Sequence, residues 1–121
     1  MVKILLVDDH DDVREVLSDV LEREGHDITE ASDGDDAVKH IRAEDYDLVI
    51  TDIMMPNKNG FELISEIRVL KPEIKIIAIS GGGNYASAKM TTSLATGVDK
   101  TLTKPFSPED ITDAVSSLIA A

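Results

Sequence analysis

Three short apolar runs, each stopping at a polar residue, restrict the fold of this chain more than anything else in it. Ile4-Leu5-Leu6-Val7 runs into Asp8-Asp9, Leu48-Val49-Ile50-Thr51 into Asp52, and Ile74-Lys75-Ile76-Ile77-Ala78-Ile79 into Ser80. Runs this short and this rich in branched residues read as strands covered on both faces, the pattern of a parallel sheet held between helical layers. Two further runs, His26-Asp27-Ile28-Thr29-Glu30-Ala31 and Val98 to Thr103, are more polar, as the edges of such a sheet are. The second of them leads into Lys104.

Between the strands the period changes. Val13, Val16, Leu17, Val20 and Leu21 recur at helical spacing, and Gly25 is placed to end that helix. Asp11 and Asp12 are expected to serve as its cap and first-turn acids. Asp33 is placed to cap a helix with Ala37, Val38 and Ile41 inward. A third helix begins near Asn59-Gly60 and buries Leu63, Ile64, Ile67 and Leu70 until Pro72 stops it. A fourth, from about 84 to 95, has the weakest pattern, with only Met90 and Leu94 as bulk. Ser107-Pro108-Glu109-Asp110 opens a last helix whose inner stripe is Ile111, Ala114, Val115, Leu118 and Ile119. Five strands alternating with five helices mean βαβ units. With right-handed crossovers and polar edges, the strand order is 2-1-3-4-5, the flavodoxin-like doubly wound arrangement. The 121 residues are expected to form one domain, residues 1–121, without linker or internal repeat.

Composition removes several function classes. A net charge of −12 disfavours direct binding of nucleic acid, whose phosphates need Lys and Arg, and suits cations or a partner with a basic patch. The absence of cysteine excludes disulfides and thiolate chemistry. The first apolar run is too short for a signal-peptide core, and no run approaches membrane-spanning length, so a cytoplasmic location without membrane contact is expected.

In a parallel sheet all strand C-termini share one edge, and ligands sit where the strand order reverses, here between the first and third strands. That places Asp8 and Asp9 beside Asp52 at about one strand spacing, 4.8 Å. Two carboxylates so separated repel by about 3 kcal/mol at an effective dielectric near 20. Three cannot all stay ionised unless a cation joins them; without one their pKa values rise. Oxygen ligands with room for water favour Mg2+ over Ca2+. With Lys104 and the Ser80 hydroxyl added, the cleft suits a phosphoryl group in transfer, with Asp52 as nucleophile.

Val7-Asp8-Asp9, Thr51-Asp52 followed by Met55-Pro56-x-x-x-Gly60, Ser80, and Lys104-Pro105-Phe106 together resemble the receiver domain of two-component response regulators, in order and spacing over the whole chain. That resemblance implies that Asp52 is the phosphoacceptor and Asp9 a direct Mg2+ ligand. It implies that Asp8 supports the metal, often through water, and that the Met54 backbone carbonyl completes the protein ligands. Ser80 resembles the switch hydroxyl, Lys104 the lysine that pairs with the phosphoryl group, and Lys104-Pro105 the cis peptide of the family. The implied partners are a histidine kinase or phosphotransfer protein and an unidentified downstream protein, reached through the face of the fourth helix, fifth strand and last helix. The implied states are a monomer or a phosphorylation-linked dimer. Two positions depart from the family: Thr101 stands where Tyr or Phe is usual, and Gly81-Gly82-Gly83 replaces an Ala-containing turn.

Plainer readings stand beside these. Paired acids after a strand often only start a helix, a strand-end Ser is often a turn residue, and His10 reads as a solvated loop histidine, with His26 and His40 as surface. Met54 and Met55 read as loop packing. With no output domain in sequence after the last helix, the chain is expected to act through protein contacts or to be a fragment of something longer. The main rival is a phosphorylation-independent interaction module, which Thr101 would permit. A phosphatase similar to haloacid dehalogenase-type hydrolases matches Asp9-His10-Asp11 only superficially and leaves Asp52 unexplained. Flavin binding is excluded, because the loop after the first strand is acidic and would repel a phosphate.

Overall fold

Alternation inside the unbroken apolar runs gives this molecule two cores. The computed structural model describes residues 2–53, 60–80 and 98–119. In β1 (Lys3–Val7), Leu5 and Val7 enter one apolar cluster, Ile4 and Leu6 the other. The same division runs through β3 (Leu48–Asp52), with Val49 on the first side and Leu48 and Ile50 on the second. In β4 (Lys75–Ser80), Ile76 and Ala78 oppose Ile77 and Ile79. Each Val, Leu or Ile among them contributes about 1.5–3 kcal/mol by leaving water, so these strands are fixed in the sheet interior.

Among the described residues, two helices close each side. The first core is covered by α2 (Gly34–Ala43) through Ala37, Val38 and Ile41, and by α3 (Gly60–Leu70) through Leu63, Ile64 and Ile67. The second is covered by α1 (Asp11–Arg23) through Leu17 and Leu21, and by α4 (Pro108–Ile119) through Ile111, Ala114 and Val115. The more polar β2 (Asp27–Ala31) and β5 (Lys100–Thr103) are the edges of a sheet ordered β2-β1-β3-β4-β5, parallel throughout. The order is the expected one.

Helix ends follow local chemistry. The Asp33 carboxylate accepts the Asp36 N–H at 2.8 Å and caps α2. Ser107 and Asp110 cap α4 reciprocally, each backbone N–H donating to the other's side-chain oxygen at 2.9 and 3.2 Å. After α1, Gly25 takes φ +91°, its N–H donates to the Glu22 carbonyl, and His26 donates to Leu21. This double bond onto the last turn favours a residue without Cβ.

Several expectations need correction or fall outside the described residues. Asp11 is the first helical residue of α1, and His10 holds the cap position without a side-chain cap bond. Val16 is 60% exposed, so the apolar stripe of α1 is wider than the core it covers. Val16 instead helps line a groove of about 490 Å³ with Val13, Leu17, Val20, Pro105 and Phe106. The fifth strand begins at Lys100, two residues later than its sequence suggests. Met54, the 81–83 glycines and the expected helix over 84–95 lie outside the described residues. Among the described residues, no helix is long and apolar enough to cross a membrane.

Candidate functional site

The sheet register fixes where the strand-end residues meet. Val7 pairs with Thr51, Asp52 with Ile79, and Ser80 with Thr103, so Asp8, Asp52, Ser80 and Lys104 all follow or close their strands at one edge. The backbone ties these ends together. Asp8 N–H donates to the Ala31 carbonyl, Ile53 N–H to Ile79, and Lys104 N–H to Ser80. The Thr51 hydroxyl donates to the Asp52 carbonyl at 2.9 Å. The Lys104–Pro105 peptide is cis.

Gly60 has a packing role that the sequence did not disclose. Its N–H donates to the Ile53 carbonyl at 2.8 Å, so α3 starts directly against the end of β3. A Cβ at this position would lie 2.5 Å from Ile53 Cα and 2.7 Å from the Asp52 carbonyl oxygen. Only glycine allows this approach, and the approach sets the backbone that carries Asp52. A glycine a few residues beyond a strand-end acid was visible in the sequence; its reason was not.

Asp8, Asp52 and Ser80 are buried, at 1%, 3% and 3% exposure, while Asp9 is partly exposed. One ligating atom from each of Asp8, Asp9, His10 and Asp52 lies within 4.8 Å of the other three. Asp8 Oδ1 accepts the His10 backbone N–H at 2.9 Å and stands 3.2 Å from His10 Nδ1, which is 3.3 Å from Asp9 Oδ1. His10 is thus drawn into the acid cluster while its ring stays largely exposed, which the solvated-loop reading missed. Its hydrogen bond with Asp8, then the charges of Asp9 and Asp8, raise the imidazole pKa above its ordinary value, against the opposing charge of Lys104.

Lys104 Nζ donates to Asp52 Oδ2 at 3.2 Å, joining residues from the ends of β5 and β3. Arg14 secures the acidic turn from beneath, donating to the Asp8 carbonyl and the Asp11 carboxylate, both at 2.6 Å, and to Glu30 at 3.0 Å. Asp8 Oδ2 and Asp9 Oδ1 are buried, and neither has a hydrogen-bond partner among the described residues. Buried carboxylate oxygens in that condition are costly unless a cation meets them. Oxygen donors at this spacing are the chemistry of a hard divalent cation, so the residues present fit Mg2+.

The chain matches the response regulator receiver domain family over residues 4–116. It is 36% identical over 119 residues to the chemotaxis protein CheY of Halobacterium salinarum, covering 98% of each chain. It is 33% identical over 117 residues to the alkaline phosphatase synthesis transcriptional regulatory protein PhoP of Bacillus subtilis, covering 97% of this chain and 48% of that one. The chain therefore spans about half the length of some of its curated relatives, PhoP and ResD of Bacillus subtilis among them. Among solved structures, the chemotaxis protein CheY4 of Vibrio cholerae superposes with a TM-score of 0.90 at 27% identity, over 98% of this chain and 99% of that one. A doubly wound sheet with its acids, serine and lysine at one edge, together with these matches, makes this chain a receiver domain of the two-component response-regulator family, a signalling domain that works through phosphorylation.

Proposed function

We propose that residues 1–121 act as one receiver domain, a switch in which Asp52 accepts a phosphoryl group from a histidine kinase or phosphotransfer protein. The observation that carries this reading is the buried Asp52 carboxylate, 3.2 Å from Lys104 Nζ and grouped with Asp8 and Asp9 at the sheet edge. In the transfer, an Asp52 carboxylate oxygen forms a bond to phosphorus as the donor's phosphorus–nitrogen bond breaks. The leaving imidazole nitrogen keeps the bonding pair and takes a proton from solvent. Lys104 offsets the charge of the transferred oxygens, and the Ser80 hydroxyl, at the end of the neighbouring strand, is the group that turns toward them.

Asp9, Asp52, Asp8 and the Met54 carbonyl are the proposed holders of Mg2+. When bound, the ion neutralises charge on the phosphoryl oxygens and lowers the repulsion between donor and acceptor. Water returns Asp52 to its free carboxylate by hydrolysis, so the domain promotes only its own phosphorylation and dephosphorylation. The output is proposed to leave through the face of residues 84–95, β5 and α4. On that face Thr101, paired with Ala78 in β4, occupies the position where relatives of the family carry an aromatic side chain.

Intact mass after incubation with Mg2+ and a small acyl phosphate tests the reading. One phosphoryl adduct is expected in the wild type, dependent on Mg2+ and missing from Asp52→Asn. Absence of that adduct, with measurable Mg2+ binding, would favour a phosphorylation-independent interaction module.

A further inference from the structure

The cation site brings together more than carboxylates. We propose that His10 Nδ1 is a ligand of the same divalent ion, and that it turns the site toward transition metals that favour nitrogen, such as Ni2+. This rests on the cation site of the proposed function and adds a nitrogen donor to it.

Three observations carry it. First, Nδ1 lies 3.2 Å from Asp8 Oδ1 and 3.3 Å from Asp9 Oδ1. Neighbouring ligands of an octahedral ion with bonds of about 2.1 Å stand about 3.0 Å apart, so the nitrogen is already near a ligand position. Second, the backbone of His10 is tied to the same acid: its N–H donates to Asp8 Oδ1, at the cap position of α1. Third, Asp8 Oδ2 is buried in a side chain only 1% exposed and has no hydrogen-bond partner among the described residues, which leaves an acceptor free for a cation in a residue grouped with Asp9, His10 and Asp52. Binding of the ion replaces the hydrogen bond between Nδ1 and Asp8; the ring is 58% exposed, so its remaining proton sits on Nε2 toward solvent while Nδ1 presents its lone pair.

The consequence is selectivity. Mg2+ holds oxygen ligands and gains little from an imidazole, whereas affinity for nitrogen-containing sites rises along the series from Mn2+ toward Ni2+. The wild type should therefore bind Ni2+ more tightly than a site built only of carboxylates. His10→Ala should lower Ni2+ affinity by about tenfold or more and leave Mg2+ affinity within about twofold.

The test uses untagged full chain labelled with 15N-histidine, and pulsed electron paramagnetic resonance of bound Mn2+. A 15N coupling to the ion is expected in the wild type, in His26→Ala and in His40→Ala, and absent in His10→Ala. Calorimetry of Mg2+, Mn2+ and Ni2+ binding to wild type, His10→Ala and Asp9→Asn supplies the affinities. If Asp9→Asn loses both Mg2+ and Mn2+ while no 15N coupling appears and His10→Ala binds Ni2+ like wild type, the imidazole is no ligand and the switch reading stands. If the wild type binds no Mg2+, both readings fall.

Discussion

The contact between Gly60 and the end of β3 makes a demanding prediction. In Gly60→Ala the new methyl group would stand 2.5 Å from Ile53 Cα, where ordinary contact begins at 3.4 Å, a shortfall of about 0.9 Å. Both opposing atoms nearest to it are backbone, so no side chain can swing aside. Either α3 retreats or the Asp52–Ile53 segment moves. Overpacking of this kind costs about 1–3 kcal/mol, and stretching the 2.8 Å bond from Gly60 N–H to Ile53 adds about 1 kcal/mol. The better helix propensity of alanine offsets up to about 1 kcal/mol. The net expectation is a loss of about 1–3 kcal/mol, a fall in melting temperature of roughly 4–12 °C. Urea titration followed by circular dichroism, at unchanged slope, measures the first, and the rate of adduct formation with a small acyl phosphate should fall as Asp52 is displaced. Gly25→Ala is the control. It has φ +91° and no atom within 4 Å, so it should cost about 1–2 kcal/mol of backbone strain without touching the phosphorylation rate. A Gly60→Ala protein with wild-type midpoint and wild-type rate would refute the claim that this contact sets the position of Asp52.

Other consequences follow from single interactions. Mg2+ should raise the melting temperature by binding only the folded state, with a gain of about 2.7 kcal/mol at a hundred times its Kd. Scanning calorimetry with Mg2+ and with a chelator should show the rise in wild type and not in Asp9→Asn, and no rise in wild type would remove the cation site. Asp33→Ala should lose about 1 kcal/mol by uncapping α2, seen as a lower urea midpoint with unchanged phosphorylation. The Lys3–Glu44 pair, 2.9 Å apart, should give stability a two-sided pH dependence. The hydrogen bond from Lys3 holds the Glu44 carboxyl below its ordinary value, so its contribution is complete above that value and lost as pH falls through the lowered one. The bond to Glu44 raises the Lys3 pKa, so that contribution is complete below the ordinary ammonium value and lost as pH rises through the raised one. The difference in urea midpoint between wild type and Lys3→Met should therefore be flat from about pH 5 to about pH 10 and shrink outside that window. A difference that grows at pH 3 would contradict it.

The sheet was legible because its signal is carried by composition over whole runs. Ile4 to Val7 and Leu48 to Ile50 are apolar at consecutive positions in runs too short for a buried helix, as a strand between two helical layers is. Caps were legible where one side chain suffices, as at Asp33 and Ser107. Periodicity failed at Val16, since it marks a helix face without saying how much of that face another element covers. That Asp8, Asp9, Asp52 and Lys104 come together was legible because each stands at or just past a strand end, and topology alone brings strand ends together. His10 and Gly60 depend on something finer. The first needs the backbone angle that turns a loop ring back over its own acids, and the second needs a distance between two backbones 7 residues apart in sequence. Neither quantity is written in residue type.

Asp52 and Lys104 stand 52 positions apart and meet only once β5 has paired with β4. During synthesis the acids of β1 and β3 leave the ribosome long before the lysine does. A growing chain therefore carries its carboxylates before the lysine that pairs with Asp52, and that contact forms only when β5 has joined the sheet.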